Sequence, residues 1–183
     1  MDGNRVNWTG TPGPDLVAGS TATPTQMAGA ARPPADLGTP TRIVLVRHGV
    51  TDFTAAGKLD GRGGPDPVLN DDGRRQARAT AVVVRALIGS SSAHIITSSL
   101  KRAIQTGTAI GEELGVRTQI DADWDEQSFG DWDDKSMDFL AARHSQELLR
   151  FRVDPHYSRP GGEAHVDLQA RVLAAFDRAT AAG

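Results

Sequence analysis

Residues 41–51 read Thr41-Arg42-Ile43-Val44-Leu45-Val46-Arg47-His48-Gly49-Val50-Thr51. Ile43 to Val46 is an unbroken apolar run, mostly β-branched, bounded by arginines. A short run that is apolar on both faces predicts a strand over 42–47, buried on both sides of a sheet. The run stops at Arg47-His48-Gly49. In open α/β sheets ligands gather beyond the carboxyl ends of the strands, so an arginine and a histidine there are placed to meet one. Arg47 offers a planar fork of N–H donors that matches phosphate oxygens. A neutral His48 offers a ring nitrogen lone pair near pH 7. Gly49 lets the backbone turn and approach closely. Together they suggest a histidine nucleophile facing a phosphoryl group. A strand end with two solvated polar residues would look the same, so the rest of the chain must decide.

Working outward toward the N-terminus, residues 1–40 hold six of the ten prolines, and Trp8 is their only aromatic. Gly, Thr, Ala and Pro dominate without apolar periodicity. Such a segment cannot bury enough surface to offset the entropy of ordering, so a disordered tail or linker is expected. A Pro-rich linker with almost nothing before it also suggests a piece of a longer protein. Residues 41–183 are expected to form one domain.

On the other side, a long loop covers 49–70. Gly57, Gly61, Gly63, Gly64, Pro65 and Pro67 oppose helix or strand through most of it. Arg62 in this loop is a candidate phosphate contact. Asn70 or Asp71 caps a helix to Ile88, with Ala77, Ala81, Val84 and Ile88 on one face. A second strand covers 94–97. Residues 100–114 are helical and stop at Gly115. Lys101 and Arg102 fall in the first turn, where positive charge opposes the helix dipole, so they are not there for helix stability. Beside a helix N-terminus they instead make an anion site. A third strand covers 116–120. The loop 124–132 then sets two tryptophans and a phenylalanine around Glu126. Desolvation there would lift the Glu126 carboxyl toward the range of a general acid. A helix over 136–151 carries Met137, Leu140, His144, Leu148 and Phe151 on one stripe. After irregular residues 155–162 comes a last helix, with Val166, Val172, Leu173 and Phe176 as apolar contacts. Alternating strands and helices predict an α/β domain, a mainly parallel sheet with helices on both faces.

Composition limits the function classes. The 183 residues carry a net charge of -3, which argues against a general nucleic-acid or membrane-surface binder. No cysteine is present, so disulfides and thiolate metal sites are excluded. No apolar run approaches membrane-spanning length, and a cytoplasmic location is the default. A dinucleotide-binding turn would need a glycine-rich loop opening a helix after the first strand, and Arg47-His48-Gly49 is not one.

Five motifs in order resemble the histidine phosphatase superfamily, the phosphoglycerate mutase-like group. They are Arg47-His48-Gly49 with Thr51; Gly61, Pro67, Leu69, Gly73, Gln76 and Ala77; Ser98 to Ala103 with Thr106; Glu126 with Phe129-Gly130 and Trp132; and Gly161-Gly162-Glu163. Within it, Gly61-Arg62-Gly63 and Gly73-Arg74-Arg75-Gln76-Ala77 after a Pro-rich linker look most like the phosphatase half of actinobacterial proteins that fuse a ribonuclease H to an acid phosphatase. The resemblance implies that His48 takes the phosphoryl group and that Arg47 and Arg102 hold its oxygens. It implies that Glu126 protonates the leaving oxygen and then activates water. Thr54 stands among the phosphate-binding positions, where many members have Asn. No metal or cofactor is implied; a small phosphorylated substrate is. The family also has a second histidine on a strand after the last helix. His94, His144, His156 and His165 do not occupy that context, so the chain is expected to lack its C-terminal strand or strands. Phosphomonoester hydrolysis of the acid or α-ribazole phosphatase kind is the leading expectation. Phosphoglycerate mutase-type transfer and a non-catalytic, ligand-binding relic are the alternatives.

Overall fold

The computed structural model describes residues 41–181. The sequence expectation for 1–40 lies outside the described residues. Among the described residues, six α-helices, two strands and two short 3-10 turns follow one another in an α/β order. A single turn, α1 (Asp52–Ala55), is capped by Thr51, whose hydroxyl accepts from the Thr54 N–H. Helix α2 (Asp71–Ile88) starts at Asn70, whose side chain accepts from the Gly73 N–H. Asp71 and Asp72 in its first turn suit the positive end of the helix dipole. Ala77, Ala81 and Val84 are buried, as their spacing predicts.

Strand β1 (Ile95–Thr97) leads into α3 (Lys101–Leu114), which ends on Gly115 in the left-handed conformation. Strand β2 (Thr118–Ile120) then pairs in parallel with β1, Ile95 opposite Thr118. Helices α2 and α3 pack through Ala81, Val84 and Ile110, joined by Ile88, Ile95 and Leu114. Gly107 brings α3 close to the strands: a Cβ there would stand 2.2 Å from Thr97 Cγ2.

The second half builds its own core. The stretch expected as one helix over 136–151 is two, α4 (Met137–Arg143) and α5 (Ser145–Val153), broken at His144. Leu140 and Leu148 still fall inward, onto Trp132, Phe129, Phe151 and Leu59. Helix α6 (His165–Ala181) closes the described chain. Its buried residue is Ala175, while Leu173 and Phe176 are exposed, contrary to the apolar contacts expected of them.

The larger correction concerns residues 42–47. They form no strand, and among the described residues none of 43–48 makes a backbone–backbone hydrogen bond. Ile43, Val44, Leu45 and Val46 are exposed, Leu45 by 79%. A strand exists by its ladder partners, and the backbone groups here meet none. The segment instead borders a cavity of about 890 Å³, with Ile95, Ile96, Ile110 and Leu114 on the other wall. The parallel sheet is therefore the two-stranded β1–β2 pair.

The end of that segment is nevertheless firmly seated. A Cβ on Gly49 would lie 2.4 Å from the Gly73 carbonyl oxygen, and one on Gly73 would lie 2.1 Å from that of Val50. Main chain thus crosses main chain at the first turn of α2. The Val50 N–H donates to Gln76 Oε1 at 2.9 Å, and the Asn70 N–H donates to the Val50 carbonyl at 3.1 Å. From α3, Thr106 accepts the Gly49 N–H at 3.2 Å and donates to the Arg102 carbonyl at 2.8 Å. Two helices therefore fix where His48 begins.

Candidate active site

His48 is half-buried at the end of the cavity. Its Nδ1 lies 2.7 Å from the Gly49 carbonyl oxygen, a pure acceptor, so Nδ1 carries the proton. Nε2 then holds the lone pair, and it accepts from Arg102 Nε at 3.1 Å. Burial lowers the His48 pKa below its usual value near 6.5; the nearby Arg102 and Arg47 charges push the same way. The Gly49 hydrogen bond and Glu126 oppose them. The neutral, nucleophilic form is thus favoured to lower pH than in a free imidazole.

Arg102 is the most constrained group in the site. Its side chain is 4% exposed, although it sits in the first turn of α3. NH1 donates to Asp60 Oδ2 at 2.5 Å and NH2 donates to the Asp60 carbonyl at 2.8 Å. One loop residue therefore holds the guanidinium by both carboxylate and backbone, leaving Nε toward His48. Asp60 is also buried, and desolvation raises its carboxyl pKa against the opposing pull of Arg102. Nothing in the sequence singled out Asp60: a lone acid before a glycine in an irregular loop has no period and no motif.

Arg47, His48, Arg102 and Glu126 all line the same cavity. Arg47 and Glu126 are exposed. Of the aromatic enclosure expected for Glu126, Trp124 lines the cavity, but Trp132 and Phe129 pack into the core around Leu140 and Glu126 stays exposed. Thr54 and Arg62 are not brought to this lining. The Thr54 hydroxyl meets that of Thr51 at 3.1 Å, within a helix cap. Arg62 is exposed and lies close enough to Glu163 to help lower its carboxyl pKa, after Arg171, which acts most. Among the described residues no cluster of His, Cys, Asp or Glu has the makings of a metal site.

The segment carrying Glu126 is held from two sides. The Asp125 carboxylate accepts from the Ser99 N–H at 2.7 Å and from the Ser99 hydroxyl at 2.8 Å, just before α3. Arg171 of α6 reaches the same segment from the other side.

A nucleophilic imidazole and two guanidinium groups around one hollow, joined by a carboxylate, is an arrangement for phosphoryl chemistry. The pattern of the histidine phosphatase superfamily, branch 1, matches residues 43–183. The chain belongs to this superfamily. Among curated relatives, the "Bifunctional protein Rv2228c" of Mycobacterium tuberculosis is 33% identical over 141 residues, 77% of this chain and 38% of that protein. The "Glucosyl-3-phosphoglycerate phosphatase" of Mycolicibacterium vanbaalenii is 34% identical over 132 residues, 72% of this chain and 56% of the relative. The solved mycobacterial glucosyl-3-phosphoglycerate phosphatase Rv2419c complexed with VO3 superposes with a TM-score of 0.67 at 30% identity. That match covers 74% of this chain and 62% of the other. The chain thus spans between 38% and 56% of the length of these two curated relatives. Superfamily membership confirms the α/β, phosphoglycerate mutase-like fold expected from the motifs. Among the described residues no helix is long and apolar enough to cross a membrane.

A histidine phosphatase site of this form makes a testable statement about charge. Arg47 lowers the His48 pKa through space, so Arg47→Gln moves it upward, toward 6.5. Titration of the His48 ring protons by NMR reads this directly. An unmoved or lowered value would mean that Arg47 points elsewhere in solution.

Proposed function

We propose that this domain hydrolyses small phosphomonoesters in two displacements through a phosphohistidine. The observation that carries this reading is the His48 ring. Its Nδ1 is tied to the Gly49 carbonyl, and its Nε2 accepts from Arg102 Nε on the cavity shared with Arg47 and Glu126, a bond that a phosphoryl group replaces when it takes the lone pair. In the first displacement Nε2 attacks phosphorus and forms the N–P bond as the ester P–O bond breaks. Glu126 gives the leaving oxygen its proton. In the second, Glu126 takes a proton from water, whose oxygen displaces Nε2 and releases phosphate. Arg47 and Arg102 hold the non-bridging oxygens throughout. Phosphoryl transfer passes through a loose transition state with charge on three oxygens, so fixed positive charge and positioning supply most of the catalysis. Dividing the reaction through a covalent intermediate is nucleophilic catalysis.

The names of the relatives favour a sugar-acid phosphate as substrate class over a nucleotide. A ribonuclease H domain in a longer polypeptide belongs to the same proposal; the word "bifunctional" in one relative's name supports a second activity without naming it. The test is a brief incubation with p-nitrophenyl phosphate, an acid quench-free digest and mass spectrometry. A gain of one phosphate on the His48 peptide, lost on mild acid treatment, is expected. Steady hydrolysis with no modified His48 would overturn the reading. Transfer of that phosphate to added phosphoglycerate in preference to water would turn it toward a mutase.

A further inference from the structure

Arg171 lies on α6, 45 residues along the chain from Glu126 and beyond helices α4 and α5, and nothing in its sequence context marks it. Yet its guanidinium makes five hydrogen bonds with four residues, and its side chain is 11% exposed. Nε and NH2 grip the two carboxylate oxygens of Glu163 at 2.7 and 2.8 Å. NH1 donates to the carbonyls of Asp123 and Asp125 at 2.9 and 2.7 Å, and NH2 to that of Glu126 at 3.3 Å. Three carbonyls within four residues are thus drawn to one cation. Asp123 sits in a short 3-10 turn, and Asp125 and Glu126 lie in the irregular segment between that turn and the Phe129–Gly162 bridge, with no ladder to fix them. The same segment sends the Asp125 carboxylate to Ser99, at the root of the helix that bears Arg102. Glu163 is in turn fixed by backbone: its N–H donates to the Ser128 carbonyl at 2.9 Å, and its carbonyl accepts from Gln127 Nε2 at 2.7 Å.

We propose that Arg171, anchored by Glu163, is a positioning residue that fixes the backbone of Glu126 at its working distance from Arg102 and His48. This rests on the role given to Glu126 above. Arg171 touches no reacting atom; it acts through the carbonyls it gathers. A planar guanidinium suits this because its fixed fork serves a carboxylate on one edge and carbonyls on the others. Lysine would hold fewer of these partners.

In the first displacement the consequence is specific to the acid step, while the water-activating step is common to every ester and does not enter kcat/KM. A displaced Glu126 harms esters whose leaving oxygen needs a proton and spares those whose leaving group departs as an anion. Arg171→Met keeps an apolar stem of similar reach. Its kcat/KM on glycerol phosphate, which reports the first displacement alone, is expected to fall about 100-fold, the lower range for general acid catalysis. On p-nitrophenyl phosphate the loss is expected to be only a few-fold. Arg171→Lys recovers part of the difference. Independently of turnover, amide hydrogen exchange over residues 122–128 is expected to speed up while α2 and α3 keep their protection. Equal losses on the two esters, or unchanged exchange at 122–128, overturn the role of Arg171 with the phosphatase reading intact. Absence of His48-dependent hydrolysis in the parent protein sinks the phosphatase reading itself, and is seen before any Arg171 variant is made.

Discussion

Arg102→Met is expected to cost this domain both its activity and a large part of its stability. The two losses have separate causes. For activity, the substitution removes the guanidinium whose Nε meets His48 Nε2, and loss of one such preorganised group costs about 10²–10³-fold in kcat. For stability, it leaves Asp60 buried with a charge and no counter-ion. Breaking one side of a buried pair costs roughly 3–5 kcal/mol. The pH dependence distinguishes this from simple loss of packing. The Asp60 carboxyl is already raised by burial, and without Arg102 it rises further. A carboxyl whose folded pKa lies above its unfolded value destabilises the fold above that pKa and is relieved as acid protonates it. Denaturant midpoints of the variant should therefore approach those of the parent as pH falls toward and below the raised Asp60 value. Adding Asp60→Asn should restore stability at neutral pH without restoring turnover. A variant that is equally unstable at every pH, or a double variant no more stable than the single, would show that the pair is not what holds this region.

His48→Ala is expected to abolish turnover while leaving the fold nearly unchanged. The ring is half-buried and makes two hydrogen bonds, to Gly49 and Arg102. Gly49 and Arg102 keep other partners in Thr106 and Asp60. Removal of a covalent nucleophile costs several powers of ten, roughly 10⁴-fold or more in enzymes where it has been dissected. Thermal melts of parent and variant should nearly coincide. Vanadate binding should weaken far less than turnover falls, because both arginines remain. Residual hydrolysis within about tenfold of the parent would mean that water attacks the ester directly and His48 is a bystander.

The elements legible in the sequence were those with a local cause. Asn70 and Gly115 mark the ends of α2 and α3 by their capping chemistry, and Ala77, Ala81 and Val84 mark the inner face of α2 by spacing. Arg102 was legible because a cation in the first turn of a helix contradicts the dipole and asks for another reason. The run Ile43–Val46 misled because apolar periodicity reports only a demand for burial, never the presence of a neighbouring ladder. Thr54 was read from a motif position, and its hydroxyl is engaged with Thr51, in a cap that a phosphate contact would have to share. His144 lay in one helical stripe, yet its backbone at φ -133° and ψ 33° ends one helix and begins the next. Arg102 with Asp60, Ser99 with Asp125, and Arg171 with Asp125 join residues 42, 26 and 46 positions apart. No short window of sequence contains both partners of such a contact.

The crossing of Gly49 over Gly73 has a kinetic consequence. Where two chains touch without side chains between them, neither can slide or tilt by a fraction of an ångström to suit a ligand. The imidazole next in line therefore inherits the stiffness of an eighteen-residue helix. Adjustment to different substrates is expected to come from the exposed side chains of Arg47 and Glu126, while the imidazole stays still as an anvil.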